Sequence, residues 1–193
     1  MAGGLQEVRD RISSVQNTMQ ITSAMKMVSA AKLRRAQDAI TQMRPYAVKL
    51  QGILSNVSAS LEQGEGTYSE EREVKRVLVV AITSNRGLCG AFNNNIVKEA
   101  TKAVKEAAES GQIVEVLPLG KKALDAANRL GWSVAEGFGD APTSLFDNLD
   151  FAHASEVANT VMEGFASGHN DKVVLAYNQF KNAGVQLHTN EAF

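Results

Sequence analysis

Val15–Ala39, VQNTMQITSAMKMVSAAKLRRAQDA, is basic, rich in Met and free of Gly and Pro. Nothing in it interrupts a helix, and it lies inside a longer repeat. Counted in alternating steps of three and four, the frame runs Leu5, Val8, Ile12, Val15, Met19, Thr22, Lys26, Ser29, Leu33, Ala36, Ile40, Met43, Ala47, Leu50, Leu54, Val57, Leu61. Of these 17 positions, 14 are apolar. An apolar position every 3.5 residues on average is the pattern of a coiled-coil seam. The three polar positions, Thr22, Lys26 and Ser29, are consecutive. Around them the apolar surface slides to Ile21, Met25 and Val28, with small Ala24, Ala30 and Ala31 beside them. The spacing therefore predicts one helix from Leu5 to Leu61 with a regular seam at each end and an altered, basic middle.

At about 1.5 Å per residue such a helix is roughly 85 Å long, too long to bury its own seam. Pro45 predicts a bend near Thr41, because it removes one main-chain donor and crowds the preceding turn. The heptad passes through it in register, which argues against a stop. The only other long helical segment, Phe151–Ala166, is too short to cover the seam. The partner must then be another chain, or protein that lies beyond Phe193.

The composition is that of a water-soluble chain, 44% hydrophobic over 193 residues. No apolar run reaches the roughly 20 residues of a membrane span, and MAGGLQEVRD has neither a signal core nor an Arg-rich presequence. The single cysteine, Cys89, excludes an internal disulfide and fits a reducing compartment. Charge is split. Residues 1–60 hold eight Lys or Arg against three Asp or Glu, a net +5, which leaves −6 for the rest of a chain of net −1. A basic rod on an acidic body points to a negatively charged partner at the rod.

Three segments follow: 1–62 as the long helix, 63–73 as a polar, Gly-containing linker, and 74–193 as an α/β domain. In the last, Arg76–Ile82 is a continuous β-branched run, the pattern of a strand buried on both faces. Further strands are expected at Ile113–Leu117, Trp132–Ala135, Lys172–Tyr177 and Gly184–Thr189. Helices are expected at Ile96–Glu109, capped by an Asn cluster and ended by Gly111, at Lys121–Leu130, closed by Gly131, and at Phe151–Ala166, capped by Asp150 and closed by Gly168. Alternating strands and helices give a Rossmann-like, mostly parallel sheet with helices on both faces.

The loop Thr83–Gly90, TSNRGLCG, stands between a strand and a helix, where phosphate loops occur. It has neither GxGxxG nor GxxxxGK[ST], so the favoured reading of Arg86, Gly87, Cys89 and Gly90 is a turn packed against the sheet. A nucleotide-binding enzyme using residues 84–90 is the alternative. Cys89 beside Arg86 reads as a packed loop cysteine rather than an activated thiol. His153, His169 and His188 lack ligand spacing, so no metal site is expected. Asp140, Asp147 and Asp150 read as turn and cap residues. The basic stripe Lys26, Lys32, Arg34, Arg35 lacks interleaved aromatics, which argues against nucleic acid. A solvated helix face and a recognition face for an acidic protein loop remain as its two readings. Met19, Met25 and Met27 suit a core or an adaptable sliding surface. A generic coiled-coil scaffold is a third possibility for the chain as a whole.

The run Ile12–Gln37, ISSVQNTMQITSAMKMVSAAKLRRAQ, closely resembles the N-terminal helix of the gamma subunit of F-type ATP synthases. Val80–Asn94, with its TSNRGLCGAFNNN, and Tyr177–Asn182, YNQFKN, are similar to two further hallmarks, so the resemblance covers nearly the whole chain. It implies the central rotor shaft of F1, coupling proton-driven rotation to the catalytic beta subunits without an active site, metal or cofactor of its own. It implies partners: the ring of three alpha and three beta subunits, the epsilon subunit and the c-ring of Fo. It implies that Met25, Lys26, Lys32, Arg34 and Arg35 face an acidic loop on beta. It implies a seam (Val8, Ile12, Val15, Met19, Leu33, Ile40, Met43, Leu50, Leu54, Val57) closed by a long C-terminal helix that this sequence does not contain. It places the protein on the cytoplasmic face of a bacterial inner membrane, or its organellar equivalent, held there through the complex. The inserted cysteine pair of light-regulated chloroplast members is missing.

Overall fold

The structure is a computed structural model that describes residues 2–60, 67–68, 72–182 and 184–193. The chain divides into two compact units, residues 1–62 and 63–193.

The first unit is a single helix, α1, Ala2–Ser60, of 59 residues. It begins three residues before the first seam position and runs through Gly52 and Pro45 without a stop. Pro45 leaves the carbonyl of Thr41 without its usual helical donor. The Thr41 hydroxyl in turn donates to the carbonyl of Gln37 at 2.8 Å. Leu61, the last seam position, lies outside the described residues, as does most of the expected linker.

The second unit is a four-stranded sheet in the order β2-β1-β3-β4. β1, Arg76–Ile82, is central. It pairs in parallel with β2, Ile113–Leu119, from Arg76 opposite Ile113 to Ile82 opposite Leu119. It pairs in parallel with β3, Lys172–Asn182, from Val77 opposite Lys172 to Ala81 opposite Ala176. β4, Val185–Ala192, returns antiparallel along β3 with an irregularity between Phe180 and Asn182. The sheet is thus mostly parallel with one antiparallel edge strand.

Alternation along β1 builds two cores, because successive side chains point to opposite faces. Val77, Val79 and Ala81 meet Ile96, Ala100, Ala103 and Ala107 of α2, Phe92–Glu109, and Ala123 of α3, Lys121–Leu130. Leu78 and Val80 meet Leu145, just after the short α4, Ala141–Ser144, and Val157 and Val161 of α5, Phe151–Ala166. Alanine lines α2 and α3 where they touch the sheet, which lets the helix backbones lie close.

Three expectations need correction. Trp132–Ala135 is not a strand. Only one residue pair bridges, Val116 with Val134, through Val116 N–H to Ser133 O at 2.7 Å and Ala135 N–H to Val116 O at 2.9 Å. Gly131 ends α3 in the left-handed conformation (φ 68°), and Gly137 and Gly139 turn the chain away with φ of 91° and 54°. Second, α2 starts at Phe92, four residues early, with Ala91 at its N-cap and no capping side chain. The asparagines lie inside the helix, and two are engaged elsewhere: Asn93 with the preceding loop and Asn95 Nδ2 with His188 Nε2 at 2.7 Å. Third, β2 and β3 run on past Leu117 and Tyr177 to Leu119 and Asn182. Pro118 fits β2 because its side of the strand is the outer edge. The neighbouring Val116 N–H on that side points to Ser133 and not to β1, so no ladder donor is lost. Asp150 does cap α5, accepting from His153 N–H at 2.9 Å.

Two joints stiffen this unit. Arg72, ahead of β1, donates through Nη2 to the carbonyls of Phe165 (2.6 Å) and Asn170 (2.5 Å). Its Nε stands 3.0 Å from Asp171 Oδ1, and its guanidinium lies 4.3 Å from the Phe165 ring centre. Asp171 Oδ2 also accepts from Lys75 and Arg76 N–H, each at 2.9 Å. These main-chain donors, with the guanidinium, hold its carboxyl below the usual carboxylate range. At the other end of β1, Thr83 N–H donates to Leu119 O and Thr83 Oγ1 accepts from Ala123 N–H, both at 2.8 Å. Gly120 packs directly on this knot: at φ 104°, a Cβ there would stand 2.5 Å from Thr83 O.

Gly120→Ala is therefore expected to lower unfolding free energy by about 2–4 kcal/mol, read by urea denaturation. Tyr177 Oη donates to Glu191 across the hairpin at 2.7 Å. That bond, together with partial burial and the carboxylate charge, pushes the phenol up to about 12. A raised folded pKa contributes stability that is complete below the unfolded value near 10 and is lost as pH rises toward 12. Tyr177→Phe should flatten that alkaline limb in a thermal-midpoint-against-pH series.

Candidate partner-contact surfaces

The seam positions named from the sequence lie along α1, and its own unit leaves them uncovered. Met19 is 66% exposed and Leu50 42%, with Val8, Ile12, Val15, Leu33, Met43, Leu54 and Val57 between those limits. Ile40 alone is partly shielded. At the altered middle, Thr18 and Thr22 turn their hydroxyls back to the carbonyls of Ser14 and Thr18 at 2.9 and 2.8 Å. The surface they leave is a shallow furrow lined by Val15, Thr18, Met19, Thr22, Ser23 and Lys26. Met25, Lys26, Lys32, Arg34 and Arg35 are all exposed.

The four cations do not form a stripe. At about 100° per residue they fall on different sides of the helix. Lys26 continues the seam, Lys32 and Arg34 flank Leu33, and Arg35 stands nearly opposite it. The arrangement is a collar at the point where the regular seam gives way. No Asp or Glu pairs with it among the described residues.

The loop after β1 is organised by Asn93. Its Oδ1 accepts from Ser84 N–H (2.9 Å) and Ser84 Oγ (3.1 Å), and its Nδ2 donates to Arg86 O and Cys89 Sγ, both at 3.1 Å. Asn85 ties the loop to the next connection, donating to Thr143 O and accepting from Lys121 N–H, each at 2.9 Å. The amides of Ser84, Lys121 and Ala123 are each bonded to a side chain. Arg86, Gly87, Cys89 and Gly90 come together at the loop's outer end, all exposed. Cys89 is not packed, as the sequence reading had it, but exposed, with its sulfur accepting from Asn93. Leu88 is fully exposed and sits at φ 59°, an unusual conformation for a residue with a side chain. The Asn93 clasp has no signature in the sequence, because its partners precede the helix and the residue resembles a cap.

The remaining candidates are dispersed. His153 Nδ1 pairs with Asp150 at 2.7 Å, His169 Nε2 with Glu115 at 3.2 Å, and His188 with Asn95. His153 N–H donation keeps the Asp150 carboxyl below its ordinary value. Asp140 contributes only its carbonyl, to Thr143 and Ser144. No group of three or more His, Cys, Asp or Glu side chains converges on one point among the described residues.

Comparisons with known proteins agree on one family. The sequence family described as ATP synthase matches residues 4–193. The chain is 53% identical over 191 residues to the ATP synthase gamma chain of Flavobacterium johnsoniae, covering 98% of this chain and 64% of that one. It is 45% identical over 190 residues to that of Bacteroides thetaiotaomicron, covering 98% and 62%. It therefore spans a little under two thirds of the length of these relatives. Among solved structures, a chain of the Tetrahymena thermophila mitochondrial ATP synthase central stalk and c-ring superposes with a TM-score of 0.62 at 29% identity, over 90% of this chain and 71% of that one. A chain of the Euglena gracilis mitochondrial ATP synthase shares the fold, with a TM-score of 0.53 at 23% identity over 100% and 57%. On this evidence the chain belongs to the ATP synthase gamma chain family.

Proposed function

We propose that this chain is the N-terminal helix and foot domain of a central-stalk rotor subunit. In this reading it couples proton-driven rotation to conformational cycling of catalytic beta subunits and carries out no chemistry itself. The observation that carries the reading is the 59-residue helix whose apolar seam is exposed along its length and whose middle bears a cationic collar with no ion pair among the described residues. A seam of that kind wants a second helix; a collar of that kind wants acidic protein around it.

Coupling then needs no active site. Each beta conformation must prefer one orientation of the shaft, since a shaft bound alike by all three could bias none of them. Lys26 on the seam side and Arg35 on the far side give the collar different neighbours in different directions, which supplies the asymmetry. Long flexible cations in water make contacts that form and break quickly, suited to a turning element. The partners in this reading are the alpha and beta subunits around α1, and the epsilon subunit and c-ring at the foot. No cofactor is needed. No described helix is long and apolar enough to cross a membrane, so attachment to the cytoplasmic face of a bacterial inner membrane would come through those partners.

Arg34→Glu with Arg35→Glu tests this in the assembled complex. Proton-driven ATP synthesis should fall roughly three- to tenfold, while circular dichroism of the chain is unchanged. Synthesis at the unaltered rate would refute the role assigned to the collar.

A further inference from the structure

The face of the sheet that carries α5 holds a cleft that the shaft reading does not use. It has a volume of about 440 Å³, and its walls include Leu78, Ala135, Phe138, Thr160 and Gly164. Three glutamates, Glu115, Glu136 and Glu163, line it together with His169 and Asn170. Glu115 shares a hydrogen bond with His169 at 3.2 Å. Glu136 and Glu163 have no ion-pair partner among the described residues.

The nearest cations do not neutralise it. Arg72 is spent on the carbonyls of Phe165 and Asn170 and on Asp171. Arg76 shares a smaller pocket of about 100 Å³ with Glu115, His169 and Asn170 on the far side of the cleft, away from Glu136 and Glu163, which do not line it, and it makes no ion pair among the described residues.

Asn170 shows that the cleft is more than a group of acids. The residue is only 5% exposed, and its carboxamide makes no hydrogen bond among the described residues. The residue is thus packed in place while its carboxamide still reaches solvent at the cleft wall. The main chain of Asn170 is fixed on both sides, its N–H to Gly164 O at 3.0 Å and its carbonyl to Arg72. Gly164 makes room for the carboxamide: a Cβ at that glycine would stand 3.0 Å from Asn170 Nδ2. The side chain is thus held at the cleft wall with its polar end unused.

From these residues we infer that the cleft is a docking site for a segment of a partner protein that inserts an Arg or Lys side chain. The alkyl stem lies along Leu78, Ala135 and Phe138, as such stems do on apolar surface. The charged head meets Glu136 and Glu163 and donates to the Asn170 carboxamide oxygen. Past Phe138 and Thr160, which border both, the cleft continues into a second one of about 560 Å³ lined by Asp140, Asp147 and Glu156. A second basic residue of the same segment fits there, with an apolar residue between the two resting on Phe138. The inference needs only the foot domain and stands or falls apart from the shaft reading.

The test is an amide-resolved NMR titration of the full chain with a short capped peptide carrying Arg-Leu-Arg. Binding should move the Asn170 side-chain amide and the main-chain amides of Gly164 and Glu136. Glu136→Gln with Glu163→Gln should weaken binding about tenfold with the thermal midpoint unchanged, and Asn170→Ala should weaken it again by a smaller factor. A Glu-Leu-Glu peptide should move none of these signals. Equal affinity in the glutamate variant, or shifts spread over unrelated acidic surface, would overturn the inference. So would tighter binding of spermine or magnesium at the same amides, which would make the cleft a small-cation site.

Discussion

A helix as long as α1 cannot cover its own apolar face. Full burial of a Val, Leu, Ile or Met side chain contributes about 1.5–3 kcal/mol. The nine exposed seam residues named above are roughly half-way to that limit, so covering them would contribute on the order of 10 kcal/mol. That is as large as the whole stability of an ordinary domain. The regular seam sections and the polar gap between them are two kinds of surface on one helix, apolar at the ends and cationic in the middle.

The foot domain rests on a different constraint. β1 is buried on both faces and paired on both edges, so its sequence is apolar from Val77 onward and its helices divide between two cores. The knot of Thr83, Leu119 and Gly120 closes the top of β1 against β2 and α3. The loop that follows is held by the protein's own side chains, Asn93 and Asn85.

Much of this was legible in the residues. The heptad frame gave α1, and the β-branched run gave β1 to the residue. Gly131 and Asp150 gave the end of α3 and the start of α5. What was not legible depended on distant partners. Trp132–Ala135 has strand composition, yet two glycines turn it away after one bridge. The polar run Asn178–Asn182 has none, yet the antiparallel ladder with β4 holds it extended. Asn93 looked like a cap and is a clasp. The cations of α1 looked like a stripe when written in a line and become a collar when wound on a helix. Asn170 and the glutamates near it are separated by up to 55 residues in sequence, and only the packing of α5 on the sheet brings them to one cleft.

Arg72 has a mechanical consequence. It stands just ahead of the central strand and grips the end of α5 and the start of β3 through two carbonyls, a carboxylate and an aromatic ring. Tension arriving along the chain from its N-terminal side meets this rivet before it reaches β1. The load is then divided between a helix end and two parallel strands pulled in shear, so many bonds must yield at once and none can be peeled away singly. A domain fastened in this way resists unravelling at its first residue.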